Sequence, residues 1–187
     1  MPRTPRRLAA LLLAGATLAS LAACAPAEPE PTSSLPVESA ADEPIFASDE
    51  EALAAAVAAY EAYLDVEQSI TGSDQSELDS IREVTTAQYA EELVEQYSSI
   101  RESSLRMVGR GKIDAARLAE QRTDGDATHV SIYACSDISG VRIVDSSGSD
   151  VTPERKERVP VQISFEQQGA SPLLVAGSST WSGDDFC

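Results

Sequence analysis

The sequence predicts an α+β domain in which two amphipathic helices cover one face of a curved antiparallel sheet. Three observations predict it. Apolar residues recur at helical spacing from Ser48 to Ser103. From Leu105 onward the period changes to two, and Asp124-Gly125 and Gln168-Gly169-Ala170-Ser171-Pro172 read as hairpin connections. Helices first and strands after is an α+β order, and residues 45–187 suffice for one hydrophobic core.

Two segments precede that domain. Residues 1–23 carry Arg3, Arg6 and Arg7, then an apolar run over residues 8–23, then small residues. This is the anatomy of a secretory signal. The run is 16 residues, short of the roughly 20 that a spanning helix needs. It ends in Leu21-Ala22-Ala23-Cys24, which reads as a bacterial lipobox with cleavage between Ala23 and Cys24 and lipid on Cys24. The lipobox implies a diacylglyceryl group, with an added N-acyl chain in many bacteria. More than one chain is needed because a single acyl chain gives only marginal membrane binding, at about 0.8 kcal/mol per buried methylene. Residues 24–44 follow as a tether, with five prolines and five acids after Cys24 and no base. That composition predicts disorder and a semi-extended reach of up to about 60 Å.

Within the domain, Ser48-x-x-Glu51 is a capping box, with Asp49, Glu50 and Glu51 at the positive end of the helix dipole. Leu53, Val57, Tyr60 and Leu64 mark its apolar face, and the helix is expected to run to about Ile70 and stop before Gly72. A weaker helical stretch covers about 75–84. Thr85 with Gln88 reads as a second capping box, opening a helix whose face is Tyr89, Leu93, Tyr97 and Ile100, with Glu91, Glu92 and Glu95 solvated. Leu105-Arg106-Met107-Val108 and residues 112–118 read as one bent strand, with Gly109 and Gly111 allowing a bulge. In the next strand Thr128, Val130, Ile132 and Ala134 alternate with His129, Ser131, Tyr133 and Cys135. Val141-Arg142-Ile143-Val144 reads as a short continuation and residues 146–153 as a polar loop. Arg155, Lys156 and Arg158, interleaved with Glu154 and Glu157, read as a solvated turn. Val159, Val161, Ile163 and Phe165 form the inward face of another strand, with Pro160 marking its edge or its start. Residues 173–181 form the last strand.

Charge bounds the function. The chain has 14 basic and 31 acidic residues. Three bases and no acid precede Cys24, so residues 24–187 carry 11 against 31, a net charge of −20. That field repels phosphate backbones and anionic headgroups, which argues against nucleic acid as a partner and admits a basic one. Arg outnumbers Lys by 12 to 2 and Asn is absent, the mark of a GC-rich genome. With Cys24 lipidated, Cys135 and Cys187 remain. In an oxidising compartment a disulfide is the default, closing a loop worth about 4 kcal/mol. A metal site built on both thiols and His129 is the alternative. It lacks a fourth ligand and any C-x-x-C spacing.

Thr85-x-x-x-Tyr89 opens a helix, and Leu105-Arg106-Met107-Val108-Gly109 follows it. Cys135-Ser136-Asp137-Ile138-Ser139-Gly140-Val141 lies on a central strand, and Trp181-Ser182-Gly183-Asp184-Asp185-Phe186-Cys187 ends the chain. In these residues, and in the Cys135…Trp181…Cys187 pattern above all, the chain resembles the nuclear-transport-factor-2-like (cystatin-like cone) superfamily. It is similar in particular to lipobox-bearing members from high-GC Gram-positive bacteria. The resemblance covers about 48–187. It implies a cone-like fold and a disulfide from sheet to C-terminus. It leaves function open, because the superfamily includes isomerases, polyketide cyclases and non-catalytic binding or dimerising modules.

Three readings follow. An enzyme needs a general base inside the cone, for which His129, Asp137 and Asp114 are candidates, with Tyr63 or Tyr133 as donors. Yet His129 shares a strand face with Ser131 and Tyr133, as a partly exposed His would, and Asp137 is placed to cap a turn. No G-x-S-x-G, H-E-x-x-H, P-loop or GxGxxG motif is present. A small apolar ligand would use a pocket lined by Tyr60, Tyr63, His129, Tyr133, Phe165 and Trp181. At their spacing the aromatic residues equally suit a core. The third reading is a tethered module that meets a cell-envelope protein through its acidic surface, or a second copy through its sheet face. The sequence favours binding or interaction over catalysis, implies no cofactor or metal, and places the domain on the extracytoplasmic face of the cell membrane.

Overall fold

The computed structural model describes residues 45–72 and 78–187. The leader 1–23, Cys24 and the tether 24–44 lie outside the described residues. Helix α1 spans Asp49–Thr71. Ser48 caps it, its hydroxyl accepting from the Glu51 amide at 3.2 Å. The reciprocal half of the box is displaced by one residue, the Glu51 carboxylate accepting from Ala47 N at 2.8 Å. The buried stripe is also one position off the face marked by the large apolar residues. Ala52 and Ala56 are fully buried beside Tyr60, Tyr63 and Leu64, while Leu53 and Val57 are half-buried at the border. Small alanines let the helix approach the sheet, and the longer side chains close the flanks.

Leu78–Glu83 forms a 3₁₀ helix around the buried Ile81, not a turn of α-helix. Helix α2 spans Ala87–Glu102. Its cap is Thr86, which accepts from Tyr89 N at 3.5 Å, and not Thr85. Thr85 is instead buried, donates to Ile81 O at 2.7 Å and forms a parallel bridge with Val175. Of two consecutive threonines that suit a cap, the core draws in one and leaves the other to the helix.

Strands β1 (Arg106–Val108) and β2 (Lys112–Asp124) are separate, which corrects the single bent strand expected there. β1 pairs antiparallel with β4 (Arg142–Val144) in a small ribbon of its own. The break falls at Gly109, where φ is +98° and an added Cβ would meet Gly140 O at 1.9 Å. Two chain reversals touch there, and only glycine fits. β2 continues to the Asp124-Gly125 turn. Its bulges fall between Asp114 and Arg117 and between Leu118 and Glu120, away from the glycines.

The main sheet is antiparallel with the order β2-β3-β5-β6, where β3 is Ala127–Asp137, β5 Arg158–Gln168 and β6 Leu174–Thr180. Pro160 stands near the start of β5, an inner strand, so it marks a start and not an edge. Val130, Ile132, Ala134, Val161, Ile163, Phe165 and Val175 form the inward face and meet α1, the 3₁₀ helix and α2 in one core. Helices on one face of an antiparallel sheet make this an α+β cone. Arg110 ties the β1–β2 link to α1, donating to Asp65 at 2.7 Å and to the Glu61 carboxylate. No helix among the described residues is long and apolar enough to cross a membrane.

Candidate functional site

The six residues read as a pocket lining do not come together. Tyr60, Tyr63 and Phe165 lie between helices and sheet, each at most 6% exposed. His129, Tyr133 and Trp181 belong to the opposite face. Inside, Tyr97 OH donates to Glu67 Oε1 at 2.7 Å, and Tyr63 OH lies 3.1 Å from the same oxygen and 3.3 Å from Tyr97 OH. Because Tyr97 gives its proton to Glu67, Tyr63 donates to one of these two acceptors. Tyr60 hydrogen-bonds Ser178. Burial first, and then the Glu67 charge, holds the Tyr63 and Tyr97 phenols far above their ordinary range, and burial raises Tyr60. Glu67 escaped the sequence reading. Its signal was the i,i+4 spacing from Tyr63 on a helix face.

This cluster predicts an alkaline limit. Below about pH 10 every phenol is neutral in both states and the stabilisation is complete. Above it, the unfolded chain ionises and the fold does not. Stability then falls by up to about 1.4 kcal/mol per pH unit for each buried phenol. In a Tyr133→Phe variant, which removes the tyrosine of the outward face, phenolate absorbance and circular dichroism followed together against pH should change in one step. Phenolate appearing near pH 10 in a folded protein would show that water reaches the cluster.

The outward face of the sheet follows from the register. One cross-strand row is Arg122–His129–Glu166, the next is Glu120–Ser131–Ser164–Gly177, and the third is Arg117–Tyr133–Gln162–Ser179. The middle row is small from β3 to β6, so it forms a trough between two rows of larger side chains. At about 4.8 Å per strand it runs roughly 10 Å, from β3 to β6. It holds an open recess of about 320 Å³ whose lining includes Glu120, Arg122, His129, Ser131, Gln162 and Ser164. Gln162, Ser164 and Ala176 also line a second recess, of about 310 Å³, where the trough leaves the sheet between β6 and α2. His129 is therefore the wall of a surface trough and not a base inside the cone.

Residues 181–187 cover the other end of this face. Cys187 is joined to Cys135 by a disulfide, with Cα atoms 5.6 Å apart. Trp181 lies 4.6 Å from Tyr133 between ring centroids, and Arg117 sits over Phe186 at 4.1 Å. Lys156 meets Asp185 at 2.6 Å, and Arg158 donates to Asp114 and to Cys187 O. Arg155 donates to Val141 O at 2.5 Å. The basic cluster is thus solvated, as expected, and its side chains also tie the C-terminal residues and Val141 to the sheet.

Asp137 and Asp114 do not face the cone. Asp137 accepts from Ser139 N at 2.9 Å and pairs with Lys112 at 3.2 Å. The Ser139 hydrogen bonds, then Lys112, hold its carboxyl down at about 2, the state of a turn cap. Among the described residues, no three His, Cys, Asp or Glu side chains gather as a metal site. Among them too, Ile45 and Val151 are the large apolar side chains left exposed, and neither is on the sheet. The face expected for a homodimer is polar.

A cone with its interior filled and a polar trough on the back of its sheet defines the class of protein by fold alone. No protein-family model matches the chain, and no curated protein does. Among solved structures it is similar to the intermembrane space region of the chloroplast protein ARC6. The TM-score is 0.51 at 10% identity, over 70% of this chain and 97% of that one. It also aligns with CagV, a VirB8 homolog of the Helicobacter pylori T4SS, at a TM-score of 0.32 and 11% identity, over 57% and 80% of the two chains.

Proposed function

We propose that this chain is a lipid-anchored extracytoplasmic protein whose cone domain binds another protein through the back of its sheet. The observation that carries the reading is the division between the two sheet faces. Tyr60, Tyr63 and Phe165 are committed to the core, while the trough over Ser131 and Ser164 is open to solvent. The disulfide supports an oxidising compartment. Leu21-Ala22-Ala23-Cys24 supports the anchor, and the Pro- and Glu-rich stretch after it supports a tether that lets the domain reach a partner away from the membrane.

A photo-cross-linking residue at Ser164 of the full chain, in cells, tests the reading. A discrete protein adduct is expected there and not at Ser147, in the exposed loop after β4. Equal or absent adducts at Ser164 in a folded variant would reject it. Independently, Cys24→Ala should move the protein from the membrane fraction to the soluble one. Full retention on the membrane would remove the lipid anchor.

A further inference from the structure

The two edges of the main sheet are built differently. β2 carries six charged side chains in 13 residues, together with two bulges. Charge and bulges are what keep an edge from pairing with another chain. β6, at the other edge, reads Leu-Val-Ala-Gly-Ser-Ser-Thr, without charge, proline or length enough to twist away. It is already in use at one end. Val175 N donates to Val84 O at 3.0 Å and Thr86 N donates to Val175 O at 2.9 Å, a parallel pairing that stops there. Among the described residues nothing pairs with residues 176–180 on that side. Ser178, Ser179 and Thr180 are exposed.

The space beside this edge has a chemistry. The recess between β6 and α2 is lined by Tyr89, Glu92, Gln162, Ser164, Ser178 and Ser179, with no basic residue in its lining. The solvent side of α2 adds Glu91 and Glu95, and the chain has a net charge of −17. We infer that β6 takes up an extended, basic segment of the partner protein as a fifth strand, continuing the pairing that residues 84–86 begin. This rests on the protein-binding reading above and names the edge and the chemistry of what is bound. Main-chain hydrogen bonds to residues 176–180 supply affinity, and Lys or Arg side chains against Glu92 supply selectivity. A second copy of the chain suits the edge less well, because it brings the same negative charge.

The test uses the full chain in detergent and two capped nonapeptides, one alternating lysine with valine and one alternating glutamate with valine. The lysine peptide is expected to shift the backbone amide resonances of residues 176–180 and to slow their solvent exchange, while the glutamate peptide does neither. Ser179→Lys, which leaves the backbone and the core untouched, should weaken the lysine peptide about tenfold or more by like-charge repulsion. Equal response to both peptides overturns the charge argument. Shifts centred on His129 and Ser131, or none at all, overturn strand addition but leave protein binding to be judged by the Ser164 cross-link. Self-association through β6 by sedimentation, without peptide, makes a second copy the occupant and also overturns the inference.

Discussion

Cys187→Ser lowers the stability of the domain by about 4 kcal/mol, the value expected when a cross-link spanning 52 residues is removed from the unfolded chain. The loss exceeds that of any single hydrogen bond because the constraint acts on the whole segment from β3 to the end of the chain. That segment holds β4, β5 and β6, two of the four strands of the main sheet among them. The fold itself loses little packing by the change. Cys135 is fully buried and its thiol stays so. What goes is the tie that brings Phe186 over Arg117 and Lys156 to Asp185. Urea unfolding of the oxidised protein, the reduced protein and Cys187→Ser checks this. The last two should agree with each other and lie about 4 kcal/mol below the first. A difference under about 1 kcal/mol would mean that aromatic packing and ion pairs alone hold the tail in the unfolded as in the folded chain.

Residues 181–187 also show what a sequence can and cannot convey. The pairing of Cys135 with Cys187 was legible, because compartment and cysteine count leave few choices. The helices and the inner strands were legible too. Burial on one side imposes a period on the chain, and Val130-x-Ile132-x-Ala134 and Val161-x-Ile163-x-Phe165 display it directly. Register was not. Whether Thr85 or Thr86 caps α2 turns on which hydroxyl the core admits. Whether β1 continues into β2 turns on one contact between Gly109 and Gly140. The trough depends wholly on register. Ser131, Ser164 and Gly177 are unremarkable along the chain, and they become one row only when β3, β5 and β6 are aligned. For the same reason the pocket candidates divided. Period-two patterning tells that Tyr133 and Phe165 sit on alternate faces of their own strands. It does not tell which faces of two strands coincide, and pairing puts Tyr133 opposite Gln162 and Val130 opposite Phe165.

Phe165→Ala provides the sharpest separation of core from pocket. Phe165 is 1% exposed and is packed with Val130, Val175 and the tyrosines of α1. If the cone is a core, truncation loses the transfer free energy of the ring and leaves a cavity that neighbours fill only in part. The expected cost is about 3–5 kcal/mol. A ring that merely lined an open, hydrated pocket already faces water, and its removal would cost well under about 1.5 kcal/mol. The two cases differ in a second observable. A cavity made in a packed core is apolar and dry, so the variant should recover part of its loss in the presence of a small apolar probe such as benzene, while the native protein should not respond. Thermal unfolding of both proteins with and without benzene reads both quantities. A small loss for the variant, or stabilisation of the native protein by benzene, would return the cone to service as a ligand site. That result would move the search for function from the back of the sheet to the space among Tyr60, Tyr63 and Phe165.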